Sequence, residues 1–384
     1  MINEEITKKK DLVMMLSKEF QLFQNKDVEP CIEEILVDVE EIFQKMKNNF
    51  RQQFVREFSR VCEILLKKEI KPGYLMCHLL RTDLLRGEYR SPIVAYDRNW
   101  YLHKGVWVGE LDTGQLFGLY TKLWENLIQR AKRYVGKVSM PEVDSLMQEM
   151  VTPFYRYLKE LVLYSIAEAT ETDSFLSMDK EEDFQIRVGE YMEPGDLVYQ
   201  EQPEKDMEEL KNWLDKNERR AYCFGDFKGL DMGNLMLPNH DFRYADFRGS
   251  SLEKSNLSIS LLLGACFRNC QMKESNLTGS MLLNTDFTGA DLERANLSYG
   301  VTYQGKDPGD IFRREGYTGS SFKECNLQGA CLAGGVFIGA DFRGSRLMGC
   351  DFQETSLYRS SFTRKQLEDA ELSRDQLEQI HITV

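Results

Sequence analysis

The chain has 384 residues, with 49 Lys and Arg against 62 Asp and Glu, a formal net charge of −13. Hydrophobic residues at 42% and charged ones at 29% exclude a disordered chain, and the length suits two domains of ordinary size. An acidic chain with no basic stripe is read as making no direct contact with nucleic acid, and apolar runs of only a few residues exclude a transmembrane helix and hence a membrane partner.

The opening MINEEITKKKDLVMM shows no secretory pattern. Nine cysteines, with no Cys-x-x-Cys pair, argue against a disulfide framework and against a zinc ribbon. Reduced, buried thiols and a cytoplasmic location are expected.

Residues 1–220 read as a mainly α-helical N-terminal domain. A long helix over 30–70 is predicted by Ile35, Val39, Ile42, Met46, Phe50, Phe54, Phe58, Val61 and Leu65, with Pro30 early and Lys71-Pro72-Gly73 as the stop. Cys77 and His78 fall in YLMCHLL, read as a buried helical stretch. SPIVAYDRNWYLHKGVWV, 91–108, is β-branched and aromatic around Asp97-Arg98-Asn99, which predicts a hairpin or extended pair. Two further helices are expected over about 114–135 and 141–167. From Glu168 to Glu209 there are fifteen acids against Lys180, Arg187 and Lys205, read as an acidic connector, partly extended. A last helix near 204–219 leads into the C-terminal half.

That half repeats itself. Every fifth residue from Phe227 to Leu297 is Phe, Leu or Met, fifteen in succession, and nine more follow from Phe322 to Phe362. Two places before each anchor stands mostly a small residue, such as Ala245, Ser250, Ala265 or Ala290. Of the 24 residues just before the anchors, twelve are Asp or Asn. Period five fits neither a helix nor a strand. A second period of twenty aligns Phe227, Phe247, Phe267 and Phe287, so that like stacks on like from one coil to the next.

This A-[D/N]-[L/F]-x-x pattern over 221–362 resembles the pentapeptide-repeat family. The resemblance implies a right-handed quadrilateral β-helix, a solenoid with the central Leu or Phe and the small residue inward and the other three outward. Two inward side chains per side must share a narrow interior at close-packed density, which accounts for the small one. Residues 301–320 break the run and are read as an extruded loop, since Asp307 at an inward position would be a buried, unpaired charge. Lys306, Asp307, Arg313 and Arg314 are the candidate contacts of that loop. Its resemblance to a phosphate-binding loop fails, because Asp307 stands where Ser or Thr is needed.

After Phe362 the pattern switches. Thr363-x-x-Gln366 and Ser373-x-x-Gln376 read as two capping boxes, so 363–384 is expected to be a helical cap over the last coil. Leu367, Ala370, Leu377 and Ile380 give it apolar faces, and the resemblance implies a homodimer joined there. Leu261, Leu263, Met281 and Leu283 occupy outward positions in one column and are the candidate interface for a partner; contact with the chain's own N-terminal domain or with the extruded loop is the alternative reading of the column.

No nucleophile elbow, metal-ligand spacing or glycine-rich phosphate loop is present, so no catalytic residue, cofactor or metal is expected. Arg81, Asp83, Arg86, Tyr89, Tyr96, Asp97, Arg98 and His103 read as surface ion pairs and turns rather than a pocket. The chain is read as a non-enzymatic protein–protein interaction scaffold whose partner the sequence does not name. The resemblance supplies one alternative, a DNA-mimicking modulator or protector of DNA gyrase or topoisomerase. Enzyme activity in residues 70–165 is the other.

Overall fold

The computed structural model describes residues 18–201, 206–303, 316 and 319–383. They fall into two units, one of 1–181 with 185–198 and one of 182–184 with 199–384.

In the first unit, α1 (Lys18–Phe23) passes through a π-helical turn, Gln24–Val28, into α2 (Glu29–Lys67). Pro30 is tolerated at the start of α2 because the first turn has no carbonyl partner for its missing N–H. The apolar residues at three- and four-residue spacing are buried, with Phe43 rather than Ile42 facing inward. Phe54 lies between Phe50 and Phe58, with centroids 6.2 and 5.5 Å away. Beside α2 pack α4 (Gly114–Ala131) and α5 (Met140–Ala169), the latter opened by a Ser139–Glu142 capping box. A short α3 (Arg81–Leu85) lies between the first two strands.

The unit also holds a five-stranded sheet, which corrects two expectations. YLMCHLL is not helical. It forms β1 (Tyr74–Leu79), the middle strand of the order β3-β2-β1-β4-β5. Leu75, Met76, Cys77, His78 and Leu79 are all buried, and a strand covered on both faces has the continuous apolar run of a buried helix. The acidic stretch is not a plain connector either. It holds α6 (Asp173–Leu176), β4 (Gln185–Glu190), parallel to β1, and β5 (Asp196–Gln200). Ile186 and Val188 point into the core while Gln185 and Arg187 alternate with them, so charge conceals a half-buried strand. The expected pair at 91–108 is β2 (Arg90–Tyr96) and β3 (Val106–Asp112), antiparallel.

In the second unit the backbone pairs with itself at a spacing of twenty. Asp226 bridges Asp246, Asp246 bridges Cys266, and Cys266 bridges Asp286, all in parallel; similar ladders start at Asp231, Met236 and Asp241. The Phe column is a stack of near-parallel rings. Phe227, Phe247, Phe267 and Phe287 follow one another at 4.8, 4.7 and 5.0 Å, and Phe322, Phe342 and Phe362 continue at 5.0 Å. The small inward residues do more than save space. Ser250, Ser260, Cys270, Ser280 and Thr285 each donate to the carbonyl of the anchor 23 residues earlier, tying one coil to the one before it.

The Asp and Asn before the anchors have a local role. The Oδ1 of Asp226, Asp246, Asn256, Asn276 and Asp286 accepts from the N–H two residues on, an Asx turn at the corner of the coil. Each corner then needs left-handed backbone, and Asn239, Gly249, Gly264 and Asn269 supply it easily. Ile259 does not. It sits at φ +59°, exposed, where a β-branched side chain is strained. Ile259→Asn is expected to stabilise the coil by about 1 kcal/mol, read as a higher denaturant midpoint.

The interruption is shorter than expected. Thr302 fills an inward anchor position, fully buried, with its Oγ1 donating to the carbonyls of Val336 and Ile338. Its hydroxyl, unlike a leucine, gave no apolar signal. The spacing then jumps to 35, Asp286 bridging Ser321 and Val301 bridging Val336, before twenty resumes. Lys306, Asp307, Arg313 and Arg314 lie outside the described residues.

At the first coil, α7 (Met207–Asp215) brings Leu210 and Leu214 into the core of the coils, and Trp213 stacks on Phe227 at 6.1 Å. At the last, β6 (Ser361–Thr363) pairs in parallel with β7 (His381–Thr383), still in the register of twenty. Between them come a 3-10 turn, Arg364–Glu368, and α8 (Arg374–Gln379). Both capping boxes form. The five-residue spacing does not stop at Phe362: Leu367, Leu372, Leu377 and Ile382 continue it, and Leu367 and Leu372 pack against the core.

Candidate interaction surfaces

The four lateral residues lie in one column, as their spacing requires. Leu261 bridges Met281. The column is longer than those four, running on through Val301 and Tyr303 to Val336, Ile338 and Tyr358. Val301 and Tyr303 follow Met281 and Leu283 at twenty, and only the step on to Val336 and Ile338, at 35, is hidden from a search at a fixed twenty. Leu261, Leu263 and Met281 are half-buried, but Leu283 is fully buried, as are Tyr303 and Ile338. Leu283 is therefore not open to a partner.

Several of the lateral charges are matched. Arg243 and Arg248 each fork onto the aspartate two residues before them, Asp241 and Asp246. Arg268 pairs with Asp286 at 2.5 Å, Lys273 with Asp291 and Glu293, and Asp341 with both Lys323 and Arg343. These guanidinium and ammonium partners hold the Asp241 and Asp341 carboxyls below their usual range, against the opposing effect of burial.

In the C-terminal segment, Ala370 is buried and Leu367 and Ile380 pack on the core, while Leu377 and Ile382 stay exposed at 41% and 49%. Gln366 and Gln376 have a role the capping-box reading misses. The Oε1 of Gln366 accepts from Thr363, and its Nε2 donates to the carbonyls of Phe342 and Ser345 at 2.6 and 2.9 Å. Gln376 does the same from Ser373 to Phe352 and Thr355.

The polar residues singled out in the first unit do not converge. Arg81 forms a bidentate pair with Glu190, Tyr89 bonds Thr121, and His103 holds Asp97 at 2.5 Å in an exposed turn. That bond lowers the Asp97 carboxyl. His78 is buried, with Nε2 3.1 Å from the Tyr96 hydroxyl, and burial pushes its pKa down to about 4. Burial likewise pushes the Cys77, Cys266 and Cys270 thiols up to about 12, outside the range of a reactive thiolate. Among the described residues no cluster of His, Cys, Asp and Glu is placed to hold a metal ion, and no helix is long and apolar enough to cross a membrane.

The bridges at twenty, the inward anchors and the Asx corners together define the repeat, and a family model described as pentapeptide repeats matches residues 241–279, 260–298 and 325–364, in eight copies. The C-terminal half is built of pentapeptide repeats. Of three similar solved structures, two, HetL and a thylakoid-lumen protein, are described as pentapeptide repeat proteins. QnrB1, a plasmid-mediated fluoroquinolone resistance protein, is 16% identical over 43% of this chain and 86% of its own, with a TM-score of 0.26. HetL, involved in heterocyst differentiation regulation in the cyanobacterium Nostoc, is 22% identical over 35% and 69%, with a TM-score of 0.15. A thylakoid-lumen protein of Arabidopsis thaliana is 22% identical over 39% and 73%, with a TM-score of 0.15. A search of curated proteins found no match. The family-model matches leave out 299–324 within the pentapeptide-repeat region, the stretch in which the spacing changes.

Proposed function

We propose that this protein is a non-enzymatic protein–protein interaction scaffold. The pentapeptide-repeat region is taken as a right-handed, four-sided β-helix closed by α7 at one end and by residues 363–384 at the other. Residues 1–220 act as the module that sets location or partner choice. The observation that carries the reading is the lateral column of Leu261, Leu263 and Met281, apolar side chains at outward positions where polar residues otherwise prevail. Leu377 and Ile382 are the side chains left exposed for end-to-end homodimerisation. DNA mimicry has less support, since it needs a continuous anionic stripe and the lateral carboxylates named above are paired with Arg or Lys.

The test is a double substitution, Leu261→Arg with Met281→Arg. Far-UV circular dichroism and hydrodynamic size are expected to stay as in the parent, while a protein co-purified at native levels is lost. An unchanged set of co-purified proteins would sink the reading.

A further inference from the structure

Throughout the coils a fixed set of main-chain bonds joins one layer to the next. Taking Leu332 as an example, its N–H donates to Asp351, the Gly334 N–H donates to Gln353, and the Ala330 carbonyl accepts from the Asp351 N–H. In the last layer the equivalent groups around Phe352 are the Phe352 N–H, the Glu354 N–H and the Cys350 carbonyl. None of the three has a hydrogen-bond partner among the described residues.

On the neighbouring sides of that layer the carbonyls are taken, while the Leu347, Gly349 and Leu357 N–H groups have no hydrogen-bond partner among the described residues, like those of Phe352 and Glu354. The Ser345 and Thr355 carbonyls take the Gln366 and Gln376 amides, and the Ser360 carbonyl takes the His381 N–H. Five residues after Gln366 and five before Gln376 stands Glu371, whose carboxylate has no proton to donate. The open edge lies in a groove of about 810 Å³ between Gly349–Ser356 and the segment from Glu371 to Gln379. Asp351, Glu354, Glu371 and Asp375 line it, and no Lys or Arg does.

We propose that this groove takes an extended, Lys- or Arg-bearing segment of a partner protein, which adds as a parallel strand to the edge at Cys350–Glu354. Two N–H groups and a carbonyl are set out as the coils set them for each other, which is what strand addition uses for affinity. The four carboxylates select a basic segment by charge. The proposal rests on the scaffold reading and names the chemistry of one partner.

The experiment uses the full chain and a short peptide of alternating lysine and threonine, a matching glutamate–threonine peptide, and the lysine peptide N-methylated on its main chain. The lysine peptide is expected to slow hydrogen exchange at the Phe352 and Glu354 amides, and the other two are not. Glu371→Lys with Asp375→Lys is expected to raise its Kd about tenfold or more. Glu371→Gln, which provides the donor that Gln366 and Gln376 provide, is expected to raise Tm and weaken the peptide. Equal binding of the N-methylated peptide, protection that spares Phe352 and Glu354, or an unchanged Kd in the charge-reversed variant overturns the proposal. So does protection of both amides that rises with protein concentration alone, which would assign the groove to a second copy. If the peptide fails but Leu261→Arg with Met281→Arg still releases a partner, the groove falls and the scaffold stands.

Discussion

Phe267→Ala is expected to destabilise the pentapeptide-repeat region by about 3–5 kcal/mol. The ring is fully buried and lies between Phe247 and Phe287, 4.7 and 5.0 Å away and within 7° of parallel to both. Truncation removes its burial and both ring contacts, and an aromatic pair adds about 0.5–1.5 kcal/mol beyond area. The cavity cannot close by collapse. The main-chain bonds from Phe247 to Cys266 and from Phe267 to Asp286, at 2.8 and 2.7 Å, hold the layers at their spacing whatever side chain lies between. Phe267→Leu, which fills part of the space, should cost less. Hydrogen exchange of the coil amides against urea, in the full chain, reads the change locally and avoids assuming that the two units unfold together. A loss below about 1 kcal/mol would mean the column is not packed as a stack.

The stack was legible because its signal is one of identity. Phe at 227, 247, 267 and 287 needs no structure to be noticed, and only a twenty-residue turn puts all four together. Where the same position is filled by another chemistry the signal fades. Thr302 is as inward as any leucine, yet it falls in the stretch that Asp307 marks as a loop, and a residue that bonds Val336 and Ile338 through its hydroxyl gives no apolar signal against that reading. The sheet of the first unit was half legible for a related reason. β2 and β3 carry turn residues between them, whereas β1 is apolar on both faces and β4 hides two core residues, Ile186 and Val188, among charges. The lateral column is legible over two coils only, because Val301 and Tyr303, twenty after Met281 and Leu283, fall in the stretch read as the loop, and the step of 35 then hides Val336 and Ile338. The amide edge of Gln366 that faces the core was beyond sequence reading altogether. A capping box specifies only the oxygen of its third residue.

That last point leads to the second large effect. Gln366→Glu would be conservative in an ordinary capping box, since Glu and Gln serve there alike. Here it is expected to destabilise the last coil at pH 7 by at least the about 1–3 kcal/mol that an unsatisfied buried polar group costs. Gln366 is only 7% exposed, and its Nε2 donates to the Phe342 and Ser345 carbonyls and to the Ser345 hydroxyl. A glutamate keeps the bonds from Thr363 but turns a second oxygen on two carbonyls, with a charge to bury as well. Gln366→Ala loses the bonds without adding the charge, so it should fall between the parent and Gln366→Glu. The two variants also differ in their response to acid. A carboxyl facing carbonyls has a folded-state pKa above its unfolded value, so the penalty is full at high pH and shrinks as pH falls and the protonated acid donates to a carbonyl. The alanine variant has no such proton to gain, and its difference from the parent should not change with pH. Denaturant midpoints of parent, Gln366→Ala and Gln366→Glu at pH 5 and pH 8 decide the matter. A glutamate variant as stable as the parent at pH 8 would show that the Nε2 bonds contribute nothing and that the capping box alone holds this end of the coil.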